Sequence, residues 1–149
     1  MQRPYTYKMN TTRETFHKSE RLCSRKTIET LFENGNIFYN SLFKVVWNID
    51  QNTLPSPAQV AFSVSKRGFR LAVKRNLIKR RMREAYRKNK SSLYEHLMTG
   101  NIQIAFVVIV RGNVVPDYIS IEKSIKEVIN KLIILTSPKL VTGSQKPGD

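Results

Sequence analysis

A single cysteine, Cys23, occurs in the 149 residues, so no intrachain disulfide can form and no thiolate metal cluster can assemble. Acid–base chemistry has as little to work with. The two histidines, His17 and His96, have no partner pattern, and Glu29 and Glu33, one turn apart on an expected helix, read as a solvated face rather than a magnesium site. Gly68 alone makes no phosphate-cradling loop. Long apolar runs are missing too: the longest, residues 104–110, is far short of the roughly 20 residues a membrane-spanning helix needs. The start of the chain mixes Arg3, Lys8, Arg13 and Lys18 with polar residues, unlike a secretory signal. These absences argue against a membrane protein, a secreted disulfide scaffold and a protein-only nuclease. The expectation is a soluble, cytoplasmic protein with no catalytic residue, metal or cofactor of its own.

What the chain does have is positive charge. Twenty-six Lys and Arg stand against 11 acids, giving +15 and a pI near 10.3. That excess calls for a polyanionic partner, nucleic acid first and an anionic membrane surface second. The length suits one domain. Residues 1–17 show no sustained apolar period and read as a flexible basic arm, and residues 136–149, with Pro138, Gly143, Pro147 and Gly148, read as a loose tail. The folded domain is expected over residues 18–135.

Within it, Ser24 is a candidate N-cap, Ile28, Leu31 and Phe32 repeat at helical spacing, and Gly35 sits where a left-handed cap would stop the helix. Residues 37–49 are rich in aromatic and β-branched side chains (Phe38, Tyr39, Phe43, Val45, Val46, Trp47) and predict a bent or interrupted strand. After a loop at residues 52–57, Val60, Phe62 and Val64 alternate with small residues as a strand does. Residues 71–90 form an unbroken helical run, residues 102–110 a buried strand, and Ile121, Ile125, Val128 and Leu132 an amphipathic closing helix. The economical fold is α+β: a single-domain, two-layer sandwich of sheet and helices in the order α-β-β-β-α-β-α.

Charge is concentrated in one place. Twelve of the 26 basic residues fall within residues 66–90 with Glu84 as the sole acid, so that segment carries +11 of the +15. At about 100° per residue, Ile78, Met82, Ala85 and Tyr86 share one arc of the helix and suit a core. Asn76, Arg80, Arg83 and Arg87 line up roughly opposite, with Lys79 and Arg81 flanking the seam. Like charges one turn apart, Lys79/Arg83 and Arg83/Arg87, oppose helix formation by some tenths of a kcal/mol each. A solvated face would normally mix signs; this one does not, which points to phosphate as the relief. Arginine rather than lysine favours forked contacts to phosphate oxygens.

The run Arg75-Asn76-Leu77-Ile78-Lys79-Arg80, preceded by Ala72-Val73 and continued by Arg83-Glu84-Ala85-Tyr86-Arg87, resembles the signature of the bacterial ribonuclease P protein. Ser63-Val64-Ser65-Lys66-Arg67 resembles that family's strand end, and Phe16, Lys18 and Arg21-Leu22 its lead into the first helix. The resemblance spans about residues 16–132. It implies a left-handed β-α-β crossover and a protein that binds a large catalytic RNA, the two together cleaving the 5′ leader from precursor tRNA. It further implies one protein with one RNA subunit and magnesium held by the RNA. By position, Lys66, Arg67, Arg70, Lys74, Arg75, Asn76, Lys79, Arg80, Arg83 and Arg87 would face the catalytic RNA. Lys18, Arg21, Ile28, Phe32 and Phe62 would line a leader cleft between the sheet and the first helix, while Phe43, Trp47 and Phe69 fit either core or cleft.

Two positions depart from the family. Leu77 stands where the signature has its second arginine, with Arg70 a candidate replacement, and Ile28 stands where an aromatic is usual and offers no π-face for stacking. The alternatives are a ribosomal-type RNA-binding protein with no part in cleavage, and a membrane-surface protein, which would need Ile78, Met82 and Tyr86 exposed.

Overall fold

A computed structural model describes residues 15–50 and 53–137. After a single 3-10 turn at Lys18–Glu20, the order is α1 (Arg25–Asn34), β1 (Asn36–Tyr39), β2 (Phe43–Asp50), β3 (Ala58–Ser63), α2 (Ala72–Asn89), α3 (Ser91–Gly100), β4 (Gln103–Val110) and α4 (Tyr118–Thr136). Relative to the expected order one helix is added. The signal for α3 is short: Leu93, Tyr94 and Leu97 make one buried stripe, and Asn101, left-handed at φ 56°, ends the helix after ten residues.

Ser24 caps α1 as expected, its Oγ accepting from the Thr27 amide at 3.2 Å. Gly35 does not adopt the left-handed conformation. It is extended, at φ −74° and ψ 161°. Glycine is required there by contact, because a Cβ would lie 2.5 Å from the Leu31 carbonyl oxygen and 2.9 Å from Val46 Cγ1. The interrupted strand over residues 37–49 resolves into a hairpin. Asn40 makes the turn, its Oδ1 accepting from the amides of Leu42 at 3.0 Å and Phe43 at 2.8 Å.

The four strands form one sheet in the order β1-β2-β4-β3, antiparallel except for the parallel β3/β4 pair, which α2 and α3 connect as a crossover. The pleat sends Val45, Trp47, Val60, Phe106 and Val108 to one face, where they pack with Ile78, Met82 and Tyr86 of α2, Leu93 and Leu97 of α3, and Ile121, Ile125 and Leu132 of α4. The other face, with Val46, Ala105 and Val107, is partly covered by α1 through Leu31, and by Leu22. Strand β4 is thus buried on both sides, which is why it reads as a continuous apolar run. Phe43, Trp47 and Phe69 all lie in the core.

Burial of Ile78, Met82 and Tyr86 removes the apolar face a membrane-surface protein would need. Among the described residues no helix is long and apolar enough to cross a membrane. Residues 1–14 of the expected arm and 138–149 of the expected tail lie outside the described residues. At both borders the chain is packed: Phe16 rests on the core, and Thr136, the first residue of the expected tail, closes α4 with its hydroxyl donating to the Leu132 carbonyl at 2.7 Å.

Because a backbone oxygen blocks a Cβ at residue 35, Gly35→Ala is expected to cost about 1–3 kcal/mol through forced displacement of α1 from β2. Denaturant unfolding measures this. An unchanged midpoint would show that the contact relaxes freely.

Candidate RNA interface

The basic segment begins in a turn that is fastened from three sides. Ser65 Oγ accepts from the Gly68 amide at 3.0 Å, and the Ser65 carbonyl accepts from the Phe69 amide at 3.1 Å. Phe69 is buried beneath the turn, and Gly68 passes so close to Gly112 that a Cβ would lie 2.6 Å from its carbonyl oxygen. Arg75 completes the fastening: one guanidinium nitrogen donates at 2.8 Å to the carbonyls of both Phe69 and Arg70. Part of Arg75 is therefore structural, although it was expected to face RNA.

The other expected residues sort by the same test. Lys66, Arg67, Arg70 and Lys74 on the turn and the first helical residues are exposed, as are Asn76, Arg80 and Arg83 along α2, while Lys79 is half-buried beside them. Arg87 differs. It is half-buried and forks onto Glu84 at 2.7 and 3.1 Å, and the Arg87 hydrogen bond is the main influence holding the Glu84 carboxyl below its ordinary pKa. Arg81, expected to flank the seam with its charge in solvent, donates to the Pro116 carbonyl at 2.7 Å and ties α2 to the lead into α4.

The expected leader residues do not form one cleft. The bridge between Arg21 and Val60, with the Leu22 amide donating to the Val60 carbonyl at 3.0 Å, lays the N-terminal segment along the free edge of β3. Between this segment, β3 and α2 runs a groove lined by Phe16, Arg21, Ala61, Phe62, Lys79 and Arg83. Partial burial, and then the charges of Arg21 and Arg80, hold the Arg83 guanidinium below the ordinary arginine pKa. Phe62 meets Phe16 and Tyr86 with ring centroids 6.2 and 5.8 Å apart, so it lies on the α2 side of the sheet.

Phe32 and Ile28 belong to α1, across the sheet. Phe32 is 52% exposed, and Ile28 is half-buried against the Leu31 and Val46 cluster. Lys18 is exposed on the 3-10 turn. The hollow that does lie between α1 and the sheet is lined by Lys26, Thr27, Thr30, Asn48, Ile49 and Asp50, none of them among the expected residues. The sequence places Phe16 only in the lead into the first helix; its position in the groove follows from contacts with Phe62 and Tyr86 that lie far along the chain.

Among the described residues no group of three or more His, Cys, Asp or Glu is gathered as a metal site. His17 and His96 hydrogen-bond to the hydroxyls of Thr15 and Thr136, at 2.6 and 2.9 Å. The site is thus cationic and aromatic, suited to holding phosphates and unpaired bases.

The sequence profile of ribonuclease P matches residues 16–133. A ribonuclease P protein component of Porphyromonas gingivalis is 36% identical over 110 residues, covering 74% of this chain and 80% of that protein. The structure of the Staphylococcus aureus RNase P protein superposes with a TM-score of 0.63 at 23% identity, over 77% of this chain and 96% of that one. The RNase P protein from Thermotoga maritima gives 0.61 at 21%, over 75% and 96%. These two likenesses establish the shared fold, while the profile and the Porphyromonas relative establish descent. With the ordered run from Arg75 to Arg87 carried on one helix beside a basic groove, the chain belongs to the ribonuclease P protein family.

Proposed function

We propose that this chain is the protein subunit of ribonuclease P, that it binds the catalytic RNA and the 5′ leader of precursor tRNA, and that it assists endonucleolytic removal of the leader. One observation carries the reading. Burial of the α2 seam leaves Asn76, Arg80 and Arg83, continued by Lys66, Arg67, Arg70 and Lys74, as an exposed cationic surface whose nearest acid on the helix, Glu84, is engaged by Arg87. Such a surface neutralises phosphates; it does not break bonds. Magnesium and bond cleavage belong, in this reading, to the RNA subunit, and the protein acts by holding the polyanions together in register.

The turn and the exposed stripe of α2 face the catalytic RNA. Arg21 and Phe62 serve the leader from the groove at the β3 edge, where a phosphate and a base can be held together. Phe32 is left on α1 as a separate, exposed contact. Leu77 is half-buried, so the charge missing from the signature is supplied from the turn by exposed Arg70.

If about six phosphates are neutralised, log affinity falls with log salt at a slope of roughly −4 to −5. Arg80→Ala with Arg83→Ala is expected to weaken assembly with ribonuclease P RNA and to flatten that slope by about 1.4 to 1.8; filter binding at several salt concentrations measures both, and an unchanged slope would contradict the placement. Arg75→Ala is expected to behave differently, lowering unfolding stability by about 1–3 kcal/mol because two turn carbonyls lose a charged donor, whereas exposed Arg80→Ala stays within about 0.5 kcal/mol of the parent. Function is decided by reconstitution: the purified chain with a bacterial ribonuclease P RNA should cleave precursor tRNA at magnesium concentrations where the RNA alone is slow. Tight ribosomal RNA binding with no such stimulation would favour a ribosomal-type role.

A further inference from the structure

The groove has one wall that needs explaining. Arg21 and Arg83 line it together, and the charges of Arg21 and Arg80 both act on Arg83, a like-charge cluster that would push the N-terminal segment away. Something must hold that segment in place. The adjacent residue, Glu20, is fully buried. Its Oε2 accepts from the His17 amide at 2.8 Å; its Oε1 accepts from the Tyr94 hydroxyl at 2.6 Å and from the Lys90 ammonium. Lys90, buried at the junction of α2 and α3, also donates to the Thr15 carbonyl and lies 5.9 Å from the centroid of the Phe16 ring and 5.1 Å from that of Tyr94. Arg21 in turn stands 5.6 Å from the Phe16 ring centroid.

One buried carboxylate thus joins the N-terminal segment to the end of α2 and to α3. For stability alone the arrangement has little to recommend it, since the desolvation of a buried ion pair can exceed its Coulombic gain and apolar replacements are often neutral or better. Its effect is geometric. It sets where residues 16–22 lie along β3, and so where Arg21 and Phe16 meet α2.

We propose that Glu20 and Lys90 are positioning residues for the RNA groove, holding Arg21 opposite Lys79 and Arg83 so that one phosphodiester of single-stranded RNA is bracketed from two separate elements. The inference rests on the RNA-binding reading above and adds a pair that contacts no RNA itself. A bound phosphate reverses the sign of the local interaction, so RNA and the buried pair reinforce each other.

The test uses the full chain and a ten-nucleotide single-stranded RNA, with affinity measured across a salt series. Four proteins are compared: the parent, Arg21→Gln, the double variant Glu20→Gln with Lys90→Met, and the combination of all three. The double variant leaves net charge unchanged, so a merely structural role would not move the salt slope. Arg21→Gln is expected to reduce the magnitude of the slope by about 0.7, one single-strand phosphate contact. The double variant should do the same, and the combination should be no worse than either. A parental slope in the double variant, or losses that add, would overturn the positioning role. If the double variant does not fold, Tyr94→Phe removes one hydrogen bond to Glu20 and no charge; a smaller slope loss supports the proposal, and an unaltered slope at weakened stability overturns it. A parent chain that binds no RNA at all overturns the RNA reading as well, whereas a parent that binds while Arg21→Gln matches it overturns only this inference.

Discussion

The ring of Tyr86 is the point on which the rest of the structure depends. Its centroid lies 5.7 Å from Phe16, 5.8 Å from Phe62, 6.4 Å from Tyr94 and 6.0 Å from Phe106, so one side chain of α2 touches the N-terminal segment, β3, α3 and β4 at once. Edge-on aromatic pairs of this kind add to the burial energy and prefer particular angles. Together with Ile78, Met82 and Ala85, which are also buried, Tyr86 fixes the rotation of α2 about its axis. That rotation decides which arginines face solvent. A helix with this much unbalanced positive charge would be a poor folding unit alone, and its seam against the sheet supplies the stability its surface lacks.

With rotation fixed, the arginines of α2 divide by what lies within reach. Arg75 reaches back to two carbonyls of the turn, Arg81 reaches across to Pro116, and Arg87 is forked onto Glu84. Arg80 and Arg83 are left exposed near the groove. The three engaged arginines stiffen the platform, and the two exposed ones present their donors to solvent. A single residue type can serve in both settings, because the guanidinium presents five donors in a fixed plane and can satisfy carbonyls, carboxylates or phosphates.

Much of this was legible beforehand. The 3.6-residue period of Ile78, Met82, Ala85 and Tyr86 identified the buried side of α2, and the β-branched runs gave β2 and β4, because these patterns are local and each is repeated several times. Gly35 was misread for a reason that is equally physical: a glycine after a helix usually signals a left-handed cap, but here the residue is small because Val46 and the Leu31 carbonyl crowd it, a contact with a strand that lies later in the chain. Phe62 and Phe32 were grouped as lining one cleft, yet the pleat and the placement of α1 put them on opposite faces of the sheet.

The sequence by itself determined that the protein is a basic α+β domain, which helix carries the charge, and through the ordered run around Asn76 which family it belongs to. The first two are written in composition and in spacings of three or four residues, and the third in the order of residues along one segment. Tertiary structure alone decided which arginines are exposed, where the groove runs, and that a buried Glu20 meets Lys90. The two ends of that pair are 70 residues apart in the chain, and Arg81 is 35 residues from its carbonyl. No local period encodes such partners; they exist only once the sheet and the α2 seam have brought the segments together.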